Sequence, residues 1–190
     1  MNEKSVSFPA EYRRSTFEAM ERIDLDKVDQ AIEWFREARD AGRRIFVCGN
    51  GGSASTASHF ACDMLKGASY DRPARFRILA LTDSLPTLTA YSNDVGYDVV
   101  FAEQLRNFAE PKDLFMAISG SGNSPNVVRA MEYANSAGCR TIALTGRDGG
   151  KLGPLAQLSI QVDFPHMGAI EDAHMVVCHM ICYYFMDTGA

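Results

Sequence analysis

Five short apolar runs dominate the chain: RIFVC (44–48), FRILAL (76–81), DLFMAIS (113–119), RTIALTG (140–146) and LSIQVDF (158–164). Each is nearly continuous rather than alternating, which is the pattern of a strand covered on both faces of a parallel sheet. Parallel strands cannot be joined by a tight hairpin and need a long crossover. Segments with helical spacing occupy the intervals, at about 53–66, 84–92 with 98–109, 124–137 and 170–187. The order predicts an α/β fold: a doubly wound, five-stranded parallel sheet flanked by helices. Upstream, Phe17, Met20, Ile23, Val28, Ile32, Phe35 and Ala38 recur at helical spacing before Gly42. They predict one helix, or a broken pair, over 15–41. A chain of 190 residues suits one domain with a sizeable core, here an N-terminal helical arm over 1–41 and an α/β core over 42–187.

The formal net charge of −5 argues against a nucleic-acid partner, which usually meets a basic face. No run approaches the ~20 apolar residues of a membrane span. The first twenty residues lack the apolar core of a signal peptide, so a cytoplasmic protein is expected. The cysteines at 48, 62, 139, 178 and 182 are scattered, odd in number and mostly within apolar runs. They read as buried free thiols rather than a disulfide framework, and without a CxxC pair a thiolate zinc site is not expected.

In doubly wound sheets, ligands bind at the carboxyl ends of the strands. Three polar loops sit there: GNGGS (49–53), SGSGNS (119–124) and TGRDGG (145–150). In the second, Ser124 is a candidate helix N-cap and Pro125 suits the first helical position. A helix N-terminus offers free N–H donors and the positive end of a dipole. With the serine hydroxyls, it makes a receptor for a phosphate monoester. Neither SGSGNS nor GNGGS contains Lys or Arg, so the donors there are neutral. The spacing matches neither a nucleotide P-loop nor G-x-G-x-x-G. Asn50, Gly51, Gly52, Ser53, Ser119, Ser121 and Ser124 are the candidate substrate-binding residues; turn punctuation is the competing account.

His59 and Asp63 are four residues apart on a predicted helix and share a face. Glu171 and His179 are eight apart on the last helix, roughly 80° from each other around its axis. The four can converge as two imidazoles and two carboxylates. Such a set can serve as general base and acid of a proton transfer, or hold Zn²⁺ through N and O ligands. His166 and His174 read as partly buried structural histidines. Asp94 lies where it could reach a sugar hydroxyl; Asp148 and Asp172 read as turn or helix-start residues.

CGNGGSASTASHFACDML, AYSNDVGYDVVFAEQL and AISGSGNSPNVVRAMEYANSAGCRTIALTGRDGGKL resemble the sugar isomerase (SIS) domain family, and within it the heptose phosphate isomerases. The likeness runs from about Gly42 to Tyr184. It implies an aldose–ketose isomerase of phosphorylated sugars that moves a proton through an enediol. It also implies a homotetramer with sites at subunit interfaces. By position, it assigns the phosphate to Ser53, Ser119, Ser121 and Ser124, with Asn50 alongside. It makes Asp63 and His179 the catalytic pair and His59, Asp63, Glu171 and His179 the ligands of a possible zinc ion. The chain departs from the pattern in carrying Asp63 where a glutamate is usual and Glu171 where a glutamine is usual. The PHMGAI segment is also shorter, and LKGAS lacks an expected arginine. Two alternatives follow: a non-catalytic phosphosugar-binding or replication-initiator-associating protein, and an isomerase of a different sugar phosphate. The surfaces expected between subunits are the N-terminal helix and Met175, Val176, Met180, Tyr183 and Phe185.

Overall fold

The computed structural model describes residues 7–189. Its helices are α1 (Phe8–Met20), α2 (Leu25–Asp40), α3 (Gly52–Cys62), α4 (Leu85–Asp94), α5 (Val100–Phe108), α6 (Pro125–Ser136) and α7 (Met167–Thr188). The strands are β1 (Arg44–Gly49), β2 (Arg77–Ala80), β3 (Leu114–Ser119), β4 (Arg140–Gly146) and β5 (Leu158–Val162). They form one sheet in the order β2-β1-β3-β4-β5, with every neighbouring pair parallel. The expected doubly wound five-stranded sheet is the one observed.

Strand residues alternate between two apolar layers because successive side chains leave opposite faces. Ile45, Val47, Met116, Ile118, Ile142 and Leu144 join residues of α1, α2, α3 and α7 on one side. Phe46, Cys48, Phe115, Ala117 and Ala143 join residues of α5 and α6 on the other, with Leu88 and Tyr91 of α4 at its edge. Phe35 of α2 meets Phe60 of α3 edge to face, with ring centroids 5.4 Å apart; both are fully buried.

The upstream helical stretch is a broken pair. Asp24 caps α2 by accepting from the Lys27 N–H at 3.3 Å. α1 is fastened to α7 by Tyr12, whose hydroxyl donates to Asp172 at 2.9 Å, and by Thr16 at 3.3 Å. The carboxylate holds the Tyr12 phenol above its usual pKa, because losing the proton would lose that bond. Asp172 is thus an inter-helix tie, which its place near a helix start did not suggest. β5 ends two residues earlier than expected, and α7 begins at Met167, where His166 Nδ1 accepts from the Ala169 N–H at 3.3 Å. α3 passes into a π-helical turn at Asp63–Gly67, closed by the Ala68 N–H on the Asp63 carbonyl at 2.9 Å. Such turns often mark functional positions in helices.

His174 is buried against the sheet, with Nε2 3.0 Å from the Thr145 carbonyl. A carbonyl only accepts, so Nε2 carries the proton, and Nδ1 has no partner. Burial lowers its pKa below the usual 6.5, against a smaller opposing effect of the Thr145 bond. The folded protein therefore resists protonation that the unfolded chain accepts. This contribution to stability is complete above about pH 6.5 and declines as pH falls toward the lowered folded value. Melting curves of His174→Gln should accordingly show a smaller drop between pH 7.5 and pH 5 than those of the parent chain. Phe60→Ala removes an aromatic ring from the closed core and should cost about 3–5 kcal/mol in urea unfolding.

Candidate functional site

β1 and β3 are adjacent, with Gly49 beside Ile118 in register. The helices that follow them leave on opposite faces, α3 in one apolar layer and α6 in the other. This is the topological switch point, where a crevice opens beyond the strand ends. Asn50 and Asn126 close its floor as a reciprocal amide pair. Asn50 Nδ2 donates to Asn126 Oδ1 at 2.8 Å, and Asn126 Nδ2 donates back to Asn50 Oδ1 at 2.9 Å. The Tyr97 hydroxyl donates to the same Asn50 oxygen at 2.7 Å, and Asn126 Oδ1 takes the Val127 N–H at 3.0 Å. The Asn50 side chain is therefore largely committed to bridging the loops. Asn126 and Tyr97 were not apparent in the sequence; the one signal was a polar residue on the buried side of α6, directly after Pro125.

The glycines permit the loop shapes. Gly51 has φ +53, a region that side chains disfavour. A Cβ on Gly122 would lie 2.1 Å from the Gly149 carbonyl oxygen, so SGSGNS and TGRDGG interlock backbone to backbone. Ser53 and Ser119 are buried, while Ser121 and Ser124 are half-buried. Ser119 Oγ accepts from the Gly122 N–H at 3.2 Å and Ser121 Oγ from the Asn123 N–H at 3.3 Å. Each hydroxyl accepts from its own loop and keeps its proton free for a further bond. Ser124 occupies the N-cap position of α6 but makes no side-chain cap bond, so its hydroxyl is not spent on the helix.

α3 and α7 lie side by side and run parallel. Gly52 faces Glu171, His59 faces His179, Asp63 faces Cys182 and Gly67 faces Met186. This alignment assembles His59, Asp63 and His179. Asp63 Oδ2 is 3.1 Å from His59 Nε2 and 3.8 Å from His179 Nε2, and the two Nε2 atoms are 3.2 Å apart. Cys182 approaches the same carboxylate oxygen from the helix side, its Sγ 3.8 Å from Asp63 Oδ2. Burial first, then the neighbouring charge, pushes the Cys182 thiol up to about 12, so it stays protonated, its one S–H set between Asp63 Oδ2 and the His179 carbonyl 3.5 Å away. Two imidazole nitrogens and a carboxylate oxygen within 4.8 Å of one another match zinc chemistry. A tetrahedral ion with bonds of ~2.0–2.2 Å has ligand-to-ligand edges of roughly 3.3–3.6 Å.

Of the four expected ligands, the structure gathers His59, Asp63 and His179, and Glu171 lies apart from them. It precedes His179 by about 12 Å of helix, and its carboxylate lies against Gly52 at the start of α3, where the helix dipole favours a negative charge. Ser53 and His59 are six residues apart, about 9 Å along α3, so one helix carries a serine-lined end and an imidazole–carboxylate end. Asp94 ends α4 in solvent, bonded to Asn93 at 2.8 Å. Arg72, shortly after the LKGAS segment, is used structurally; it donates to the main-chain carbonyls of Phe185 and Met186 in the last turns of α7.

A parallel five-stranded sheet with polar loops at its switch point defines a small-ligand α/β protein. The SIS domain family matches residues 10–146, and the chain belongs to that family. Among its relatives is a probable phosphoheptose isomerase of Thermoplasma volcanium, 40% identical over 173 residues, which are 91% of this chain and 88% of the relative. The phosphoheptose isomerase of Akkermansia muciniphila is 41% identical over 155 residues, 82% of each chain. The solved phosphoheptose isomerase of Neisseria gonorrhoeae is 33% identical and superposes with a TM-score of 0.86, covering 95% of this chain and 97% of that one.

The amide bridge gives a direct test. Asn50→Ala and Asn126→Ala should each cost about 1–3 kcal/mol, because each leaves its partner amide unpaired. The double variant should cost clearly less than the sum, read as coupling in urea-unfolding midpoints.

Proposed function

We propose that the chain is a phosphosugar aldose–ketose isomerase of the heptose phosphate type. The carrying observation is Asp63, a carboxylate within 3.1 and 3.8 Å of two imidazoles, on a helix whose N-terminus opens at the serine-lined crevice. Ser53, Ser119, Ser121 and Ser124 hold the phosphate, together with main-chain N–H groups at Gly51 and Gly52 and the start of α6. Asn50 fixes the loops, and Asp94 meets a sugar hydroxyl. Asp63 takes the proton from C2 of the aldose and returns it to C1 of the enediol. His179 moves a proton between the oxygens on those carbons, so the net change is a shifted carbonyl with no proton gained or lost.

His59, Asp63 and His179 would hold a divalent ion such as Zn²⁺, with Glu171, against Gly52, outside the three-ligand set. When bound, the ion would polarise the carbonyl and hydroxyl oxygens. The chain is proposed to act as one SIS unit, as a cytoplasmic homotetramer with sites at subunit interfaces and without nucleic-acid or membrane partners. Free cysteines, all but Cys62 buried, suit a reducing compartment. Among the described residues, no helix is long and apolar enough to cross a membrane. Phe8, Phe17, Met180 and Tyr183 leave apolar area exposed on α1 and α7, the faces available for tetramer contacts. Phe185 is removed from that set, because it is fully buried in its own chain against Phe76, with ring centroids 4.8 Å apart.

Asp63→Asn keeps the shape and removes the base. Turnover of sedoheptulose 7-phosphate should fall by roughly 10²–10⁴, while inorganic phosphate affinity stays within about twofold, since the serine loops are untouched. Turnover close to that of the parent chain would exclude Asp63 as the base. Equal inactivity of both proteins toward pentose, hexose and heptose phosphates would favour the non-catalytic binding alternative. Metal analysis before and after chelation, with the same assay, separates the proton-transfer and metal roles.

A further inference from the structure

The TGRDGG loop has no part in the chemistry described so far, yet it sits at the carboxyl end of β4, next to β3 in the sheet. Its Arg147 has φ +52. A non-glycine residue in this region is strained and persists only where its surroundings over-determine it. They do so here: the Arg147 N–H donates to the Val162 carbonyl at 3.0 Å, and the Arg147 carbonyl accepts from Gln161 Nε2 at 2.6 Å. The loop is also locked to SGSGNS. The Leu152 N–H donates to the Gly122 carbonyl at 2.9 Å, the Lys151 N–H donates to Asn123 Oδ1 at 3.2 Å, and Gly122 packs onto Gly149. The Arg147 Cα is thus held in a fixed position relative to the serine loop.

Arg147 and Ser121 line the same open cleft, of about 650 Å³, with Asn123, Asp148, Asp163 and Phe164. Asp148 Oδ1 is occupied by the Gly150 N–H at 3.1 Å. Among the described residues, Arg147 forms no ion pair, although two carboxylates border its cleft. The serine loop itself supplies only neutral donors, and those carboxylates oppose an incoming dianion. A guanidinium answers both problems, since its planar fork binds phosphate oxygens through charge-assisted, bidentate hydrogen bonds.

We propose that Arg147 is the charged member of the phosphate receptor and a specificity-determining residue that favours phosphate monoesters over uncharged sugars. The proposal rests on the assignment of phosphate to the serine loop. The test is calorimetric titration of the full chain with inorganic phosphate, comparing Arg147→Gln, Arg147→Lys, Arg147→Gly and Ser124→Ala. Arg147→Gln should weaken phosphate binding roughly tenfold or more and flatten its salt dependence, and Arg147→Lys should restore part of the loss. With the sugar phosphate, the loss should appear in KM rather than in kcat. Arg147→Gly relieves the backbone strain, so it should melt no lower than Arg147→Gln yet bind phosphate as weakly, which separates charge from folding. Unchanged phosphate affinity in Arg147→Gln alongside lost affinity in Ser124→Ala would overturn the role of Arg147 and leave the serine assignment standing. Unchanged affinity in both would overturn both.

Discussion

Everything at the ligand end of this protein depends on β1 and β3 being neighbours while their helices depart to opposite faces. Two chain segments diverge from adjacent strand ends, and the gap between them must be filled by loop backbone, which is polar. Asn50 and Asn126 fill it with a reciprocal amide pair, spanning a sequence separation of 76 residues with two hydrogen bonds near 2.9 Å. That brace, with Tyr97 behind it, fixes the spacing between two helix N-termini and the serines around them. A receptor made of neutral donors works through preorganisation, because hydroxyls and N–H groups that must reorient on binding lose much of their advantage over water.

The chemical end depends on a different constraint, the parallel packing of α3 on α7. Once Gly52 sits against Glu171, the equal rise of two helices carries the register onward to His59 with His179, Asp63 with Cys182 and Gly67 with Met186. The π-helical turn begins at Asp63 itself, so the carboxylate leaves the helix where the backbone changes its winding. Glu171 precedes His179 by about 12 Å of helix rise, and its carboxylate stays at Gly52. One pair of helices thereby holds one carboxylate against Gly52 and a second among the histidines.

Much of the fold was legible in the sequence, because a strand buried on both faces has to be apolar nearly throughout and a crossover helix has to show a 3.6-residue period. RIFVC, DLFMAIS and RTIALTG became β1, β3 and β4 within a residue of their expected limits. Element ends decided by capping were less visible. The early end of β5 and the early start of α7 hang on His166 as an N-cap, and the break before α2 on Asp24. The serine loops and the His59/Asp63 pair could be read directly, since each lies within one short segment whose local geometry is given by the helix period.

The sequence by itself determined the layer architecture, the loops at the strand ends and the residues that can carry chemistry, because these follow from local periodicity and side-chain type. Only the tertiary structure decided which of those residues meet. It joined Asn50 to Asn126 and His59 to His179, set Cys182 behind Asp63, kept Glu171 apart and brought Arg147 to the cleft of Ser121. Each of these depends on the register between elements distant in the chain, and that register comes from packing whole helices and strands against one another, which no local pattern records.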